Sequence, residues 1–175
     1  MSEENNTINS VNPRPARNDD VVTQIVAEKV CDMLMEWLPT CGDNNSDRQE
    51  ILKHAKELVS YRCRDGYESA KYLDDYYGYL PDSELVEMLD GVGSIVSDVH
   101  DKAVCNWAAS NNIQPKYNVG DKIKFKRHNK EIITGEIINV SMKTQTYIVF
   151  CESEGHVRSG CGTLGIYVEW ENVLE

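Results

Sequence analysis

Three groups of side chains in this 175-residue chain are spaced as chemistry would require: a Cys/His run, an alternating lysine run, and carboxylates interleaved with tyrosines. Cys151, His156 and Cys161 stand in C-x4-H-x4-C spacing. Thiolate and imidazole are zinc ligands, but a closed structural site needs a fourth, and Cys63 or His54 would have to supply it from the other half of the chain. None of the six cysteines forms a CxxC pair, so the expected state is reduced thiols packed as small apolar groups, with no metal. Gly160-Cys161-Gly162-Thr163-Leu164-Gly165 is the nearest approach to a phosphate-binding loop, and it lacks the lysine and the following helix. His54, His100, His128 and His156 are scattered, and no G-x-S-x-G or H-E-x-x-H signature brings a nucleophile and a base together. The expectation is a chain with no catalytic residues and no cofactor.

The lysine run is Lys122, Lys124 and Lys126, whose alternation puts all three on one face of a strand. With Lys116, Arg127 and Lys130 they gather positive charge around a single Asp121, and such a patch can hold a phosphate backbone. The competing expectations are an edge strand guarded by lysines or a face that pairs with acidic helices. The carboxylate group is Glu68, Asp74, Asp75 and Asp82, among Tyr72, Tyr76, Tyr77 and Tyr79. An acidic, tyrosine-rich surface fits a protein partner with a basic surface, because tyrosines supply rigid contact area and the carboxylates choose the partner's sign.

The overall charge is −11, from 18 Lys and Arg against 29 Asp and Glu. It is unevenly placed: residues 20–110 hold 8 basic and 18 acidic side chains, whereas residues 111–175 hold 8 of each. A general DNA-coating role is thereby disfavoured, and nucleic acid is left to the lysine face alone. No run of apolar residues is long enough to span a membrane, and Met1–Arg17 lacks the apolar core of a signal peptide. The expected location is cytoplasmic, with no membrane partner.

Elements must position these groups. Val22, Ile25, Val26, Val30, Met33, Leu34, Trp37 and Leu38 recur at helical spacing behind a possible cap at Asn18 or Asp19. Ser46-Asp47-Arg48-Gln49 has the form of a capping box before a second stripe, Ile51, Leu52, Ala55, Leu58 and Val59. Tyr67, Ala70, Leu73, Tyr76 and Tyr77 predict a third helix ending at Gly78, and Leu85, Val86 and Leu89 a fourth. Ile95, Val96, Val99, Ala103, Val104 and Trp107 predict a fifth, ending near Asn112. From Pro115 the texture turns to alternation: strands over 117–126, 132–140, 146–150 and 166–170, with Gly135 inside the second as if at a sharp bend.

The run Val119-Gly120-Asp121-Lys122-Ile123-Lys124-Phe125, then Gly135-Glu136-Ile137 and Val168-Glu169-Trp170-Glu171-Asn172-Val173, resembles the opening, second strand and finish of small Tudor- and KOW-like barrels. The resemblance covers roughly the last third of the chain and implies a closed barrel serving as an interaction module for RNA, DNA, peptides or a neighbouring domain. No aromatic cage can be assigned among Tyr117, Phe125, Tyr147, Tyr167 and Trp170, which sets the chain apart from readers of modified lysine. The layout, joined through Asn111-Asn112-Ile113-Gln114-Pro115, also resembles small accessory proteins of tailed phages and other mobile elements.

The fold expected is therefore α+β: a disordered leader over 1–18, an acidic α-helical bundle of about five helices over 19–112, and a small antiparallel β-barrel over 115–175. The function expected is a non-enzymatic, anti-defence type of accessory protein. Its acidic helical face would bind and inhibit a basic nucleic-acid-handling host protein; the alternative is nucleic-acid binding through Lys122, Lys124, Lys126, Arg127 and Lys130.

Overall fold

The computed structural model describes residues 12–41, 47–61, 65–126, 130–152, 158–159, 162–163 and 165–174. The chain divides into two compact units, Pro15–Ala103 and Val104–Glu175, the second including residues up to Arg14.

The first unit is helical. Its elements are α1 (Asp20–Trp37), a 3-10 turn (Leu38–Cys41), α2 (Arg48–Tyr61), α3 (Gly66–Tyr77), α4 (Ser83–Asp90) and the beginning of α5 (Val92–Ser110). Four helices lie wholly inside it and α5 runs on into the second unit, so the helical body is smaller than the five-helix bundle expected from periodicity. Periodicity marks one amphipathic face and does not tell which body that face joins. Val22, Val26, Val30 and Leu34 of α1 pack with Ile51, Ala55, Leu58, Leu73, Leu85, Leu89 and Val99. Ile25, expected in that stripe, is exposed. In α3 the buried positions are Gly66, Ser69, Ala70 and Leu73, and Tyr67 and Tyr76, about half a turn apart, lie on opposite flanks of that face at 67% and 65% exposure.

Carboxylates hold the helix starts. Asp65 accepts from Glu68 N at 2.8 Å and Asp82 from Leu85 N at 2.8 Å, each satisfying a donor that its helix cannot. Asp19 stands at the start of α1 without a capping bond; its carboxylate accepts from Ala16 N instead. Ser46 of the expected capping box lies outside the described residues, and Asp47 accepts from Gln49 N. Gly66 lets α3 meet α4 closely: a Cβ there would come within 2.0 Å of Val86 O, and Gly66 N donates to Asp90 Oδ1 at 2.5 Å.

The second unit carries β1 (Lys122–Lys126), β2 (Ile132–Ser141), β3 (Thr146–Phe150), β4 (Arg158–Ser159), β5 (Gly162–Thr163), β6 (Ile166–Glu169) and β7 (Val173–Leu174). Five of them form an antiparallel sheet in the order β6-β3-β2-β1-β7, while β4 and β5 pair with each other. A 3-10 turn, Trp170–Asn172, leads from one outer strand of the sheet to the other. Among the described residues no ladder joins β6 to β7, so the sheet is antiparallel and five-stranded without a recorded closure. β1 pairs with β2 along its length and with β7 at Lys124 and Phe125, so the edge-strand explanation does not apply to Lys124. The core is Ile123, Phe125, Ile133, Ile137, Tyr147, Val149, Cys151, Val168 and Trp170.

Gly135 is needed for room. A Cβ there would lie 2.4 Å from Val149 Cγ1 and 2.6 Å from Cys151 Sγ, so the missing side chain admits those of the neighbouring strand. The irregularity in β2 comes later, where the register with β3 shifts between Ile137 and Asn139. Of the leader expected to be disordered, residues 12–18 are described, and Arg14 is bonded within the second unit; residues 1–11 lie outside the described set.

Candidate functional site

Helix α3 places the acidic and aromatic residues. Successive residues turn about 100° around a helix, so Glu68, Tyr72, Asp75 and Tyr76 share one strip, while Asp74 lies about a quarter turn or more away. Glu68, Asp74, Asp75 and Tyr76 are exposed and Tyr72 is half-buried. Tyr61, at the end of α2, completes the strip: its ring stacks on Tyr72 at 4.6 Å, and Tyr72 meets Tyr76 at 4.5 Å. Sequence reasoning missed Tyr61, because only the antiparallel return of α3 along α2 brings it there. Its one signal was an aromatic residue in the last turn of a helix that returns after a short loop.

Behind the strip runs an aromatic chain in which His54 and Tyr79 are buried and Tyr77 is half-buried. Tyr77 lies 6.0 Å from Tyr72, His54 stacks on Tyr77 at 3.8 Å, and Tyr79 closes edge-on to His54. His54 Nδ1 is 3.1 Å from Tyr79 Oη, and Tyr77 Oη donates to Glu57. Tyr79 stacks with Trp37, whose Nε1 donates to Asp82 Oδ1 at 3.2 Å. Asp82 therefore serves structure: it caps α4 and receives the indole, and it stands apart from the acidic strip of α3.

Burial lowers the His54 imidazole below its ordinary value, because the charged form loses solvation. Burial, followed by the bond to Glu57, pushes the Tyr77 phenol well up. The Leu85 N–H holds the Asp82 carboxyl below the usual carboxylate range, with Trp37 adding to it.

The alternative site is the β1 face. Lys122, Lys124 and Lys126 are exposed, with Ile123 and Phe125 buried between them. Lys122 stands opposite Glu136, and Lys124 between Thr134 and Leu174. Lys130 is exposed after the turn, and Arg127 lies outside the described residues. Of the Cys/His run only Cys151 is described, fully buried in the sheet core. Among the described residues no group of three or more His, Cys, Asp or Glu could hold a metal ion, and no helix is long and apolar enough to cross a membrane.

Compared with family models, curated proteins and solved structures, the chain matches none of them. The functional reading therefore rests on the chemistry of these surfaces.

Proposed function

We propose that the chain is a non-enzymatic interaction protein whose α3 strip docks on a basic surface of a nucleic-acid-handling protein and blocks it. The observation that carries this reading is the stack of Tyr61, Tyr72 and Tyr76. Tyr61 and Tyr76 are 62% and 65% exposed, yet each ring lies on Tyr72. Stacked phenols lose little freedom on binding and offer broad contact area, which is what a docking centre requires. Glu68 and Asp75 flank them, so arginines or lysines of a partner meet carboxylates where phosphates would otherwise sit. In this reading the five-stranded sheet curls into a small interaction barrel of the Tudor- and KOW-like kind, and the layout suits an accessory protein of a phage or mobile element.

The test is capture of the partner from the native host by the full chain at moderate salt. The double variant Glu68→Lys/Asp75→Lys should lose about tenfold or more of the recovery, the range expected when charges at a desolvated contact are reversed. Asp74→Lys, off the strip, should lose much less. Equal recovery by all three proteins overturns the assignment.

A second reading is favoured by the outward face of β1, where three exposed lysines alternate with buried Ile123 and Phe125. Salt-dependent retardation of single-stranded nucleic acid by the full chain, abolished by Lys122→Glu/Lys124→Glu/Lys126→Glu, would establish it in place of the first.

A further inference from the structure

Arg14 sits in a receptor built by the second unit. Its NH1 donates to both carboxylate oxygens of Glu171, at 2.9 and 3.1 Å, and its NH2 donates to the Thr144 carbonyl at 2.5 Å. Nε lies 3.4 Å from Glu169 Oε1, and the guanidinium carbon is 5.7 Å from the Trp107 ring centre. The Arg14 side chain is left only 14% exposed, while Glu169 and Glu171 keep 42% and 25%. All three guanidinium nitrogens are engaged, NH1 by both oxygens of Glu171, NH2 by the Thr144 carbonyl and Nε beside the Glu169 carboxylate, with an indole close by. That is recognition of arginine by its fork, which a lysine ammonium cannot reproduce.

The chain around Arg14 is held by backbone. Trp107 Nε1 donates to Asn12 O at 2.7 Å, and Pro13 and Pro15 flank the arginine, so the segment is restricted to extended conformations. A groove of about 900 Å3 continues beside it, lined by Asn112, Gln114, Tyr117, Trp170, Asn172 and Val173 as well as by Arg14 itself. Trp170, only 5% exposed, has an Nε1–H without a hydrogen-bond partner among the described residues. The receptor is thus larger than the residues that fill it.

We propose that Glu169, Glu171, the Thr144 carbonyl and Trp107 form a recognition site for an arginine on an extended, proline-flanked segment of a partner protein, and that Arg14 occupies this site in cis until displaced. The proposal does not rest on the α3 strip; the two surfaces involve different residues in different units. The internal arginine acts as a competitor: if it leaves the site open about one tenth of the time, the apparent affinity for an external arginine falls about tenfold.

The probe is a fluorescently labelled hexapeptide copying residues 12–17, Asn-Pro-Arg-Pro-Ala-Arg, titrated against the full chain by anisotropy. Arg14→Ala should bind it about tenfold more tightly than the unaltered chain. A peptide with Lys in place of its first arginine should bind Arg14→Ala far more weakly, because the fork is lost. Adding Glu171→Gln to Arg14→Ala should remove most of the gain, with an unchanged circular dichroism spectrum confirming the fold. No peptide binding to Arg14→Ala, or equal binding of the arginine and lysine peptides, overturns the proposal. So does dimerisation of the unaltered chain that Arg14→Ala abolishes, since the occupant would then be a second copy.

Discussion

The two units use carboxylates for different ends. In the helical unit Asp65, Asp82 and Asp90 are turned toward backbone N–H groups, at the starts of α3 and α4 and at the Gly66 contact. In the sheet unit Glu169 and Glu171 are turned toward a guanidinium. A helix start exposes donors that no other backbone group can meet, and this draws the aspartates at α3 and α4, whereas Glu169 ends a strand and Glu171 sits in the 3-10 turn after it; the helical unit has its own guanidinium pair, Asp32 with Arg48, on its exposed surface. Net negative charge is therefore a poor measure of docking surface in the helical unit, since part of it is spent on holding helices.

The comparison breaks most sharply where each unit depends on a missing side chain. Gly66→Ala pushes a methyl against the Val86 carbonyl, and Gly135→Ala pushes one against Val149 and Cys151. Each should cost about 3 kcal/mol, at the upper end for overpacking, because backbone or core must move. Hydrogen exchange read amide by amide checks this: Gly66→Ala should release Leu73 and Leu85, and Gly135→Ala should release Ile137 and Val149. Release of both sets by either variant would show that the two units unfold as one.

Acid should distinguish the units next. His54 has a lowered folded value, so the unfolded chain takes up a proton first. Stability is unaffected above the ordinary histidine value of 6.5 and falls as pH drops from there to the folded value, by at most about 1.4 kcal/mol per pH unit. Asp82 has the same sign: its stabilisation is present above the unfolded carboxylate value of 3.8 and is lost as pH falls through the lower folded one. Denaturant midpoints of the helical unit between pH 7 and 5 should thus decline, and His54→Gln should flatten that decline. Tyr77 acts at the other end: its phenol is raised, so its contribution is lost as pH rises beyond the ordinary value of 10.

Removing a single cap measures a smaller share of the same difference. Asp65→Ala leaves Glu68 N without its acceptor and should cost about 1 kcal/mol, read as a shift in the denaturant midpoint without a change in slope.

How far these features were legible in the sequence depends on their range. Val22, Val26, Val30 and Leu34 announce a buried face because helical period and burial coincide, and the alternation of Lys122 to Lys126 gives β1 its outward lysines for the same reason. Tyr67 and Tyr76 mislead, since an aromatic side chain satisfies an apolar pattern whether it is buried or stacked at the surface. Gly135 is conspicuous in the sequence, but the reason for it is the approach of Val149 and Cys151, which local residues cannot state. Arg14 leaves no local mark at all. It stands in a polar, proline-containing leader, and its carboxylate partner is 157 residues away.

The smallest expected effect sharpens the comparison most. Tyr76 is mostly exposed and its recorded ring contact is with Tyr72, so Tyr76→Ala should lower stability by only about 0.5 kcal/mol, the lower end for an aromatic pair. Tyr77, one residue on, stacks on buried His54 and donates to Glu57, so Tyr77→Ala should cost several times more. If exposed tyrosines are kept for docking, Tyr76→Ala should weaken partner capture with the fold intact. Tyr77→Ala should weaken it only in step with unfolding. Equal denaturant midpoints for the two variants would mean that the strip and the aromatic chain behind it are a single stabilising cluster, and the distinction between holding and docking would fail in the helical unit.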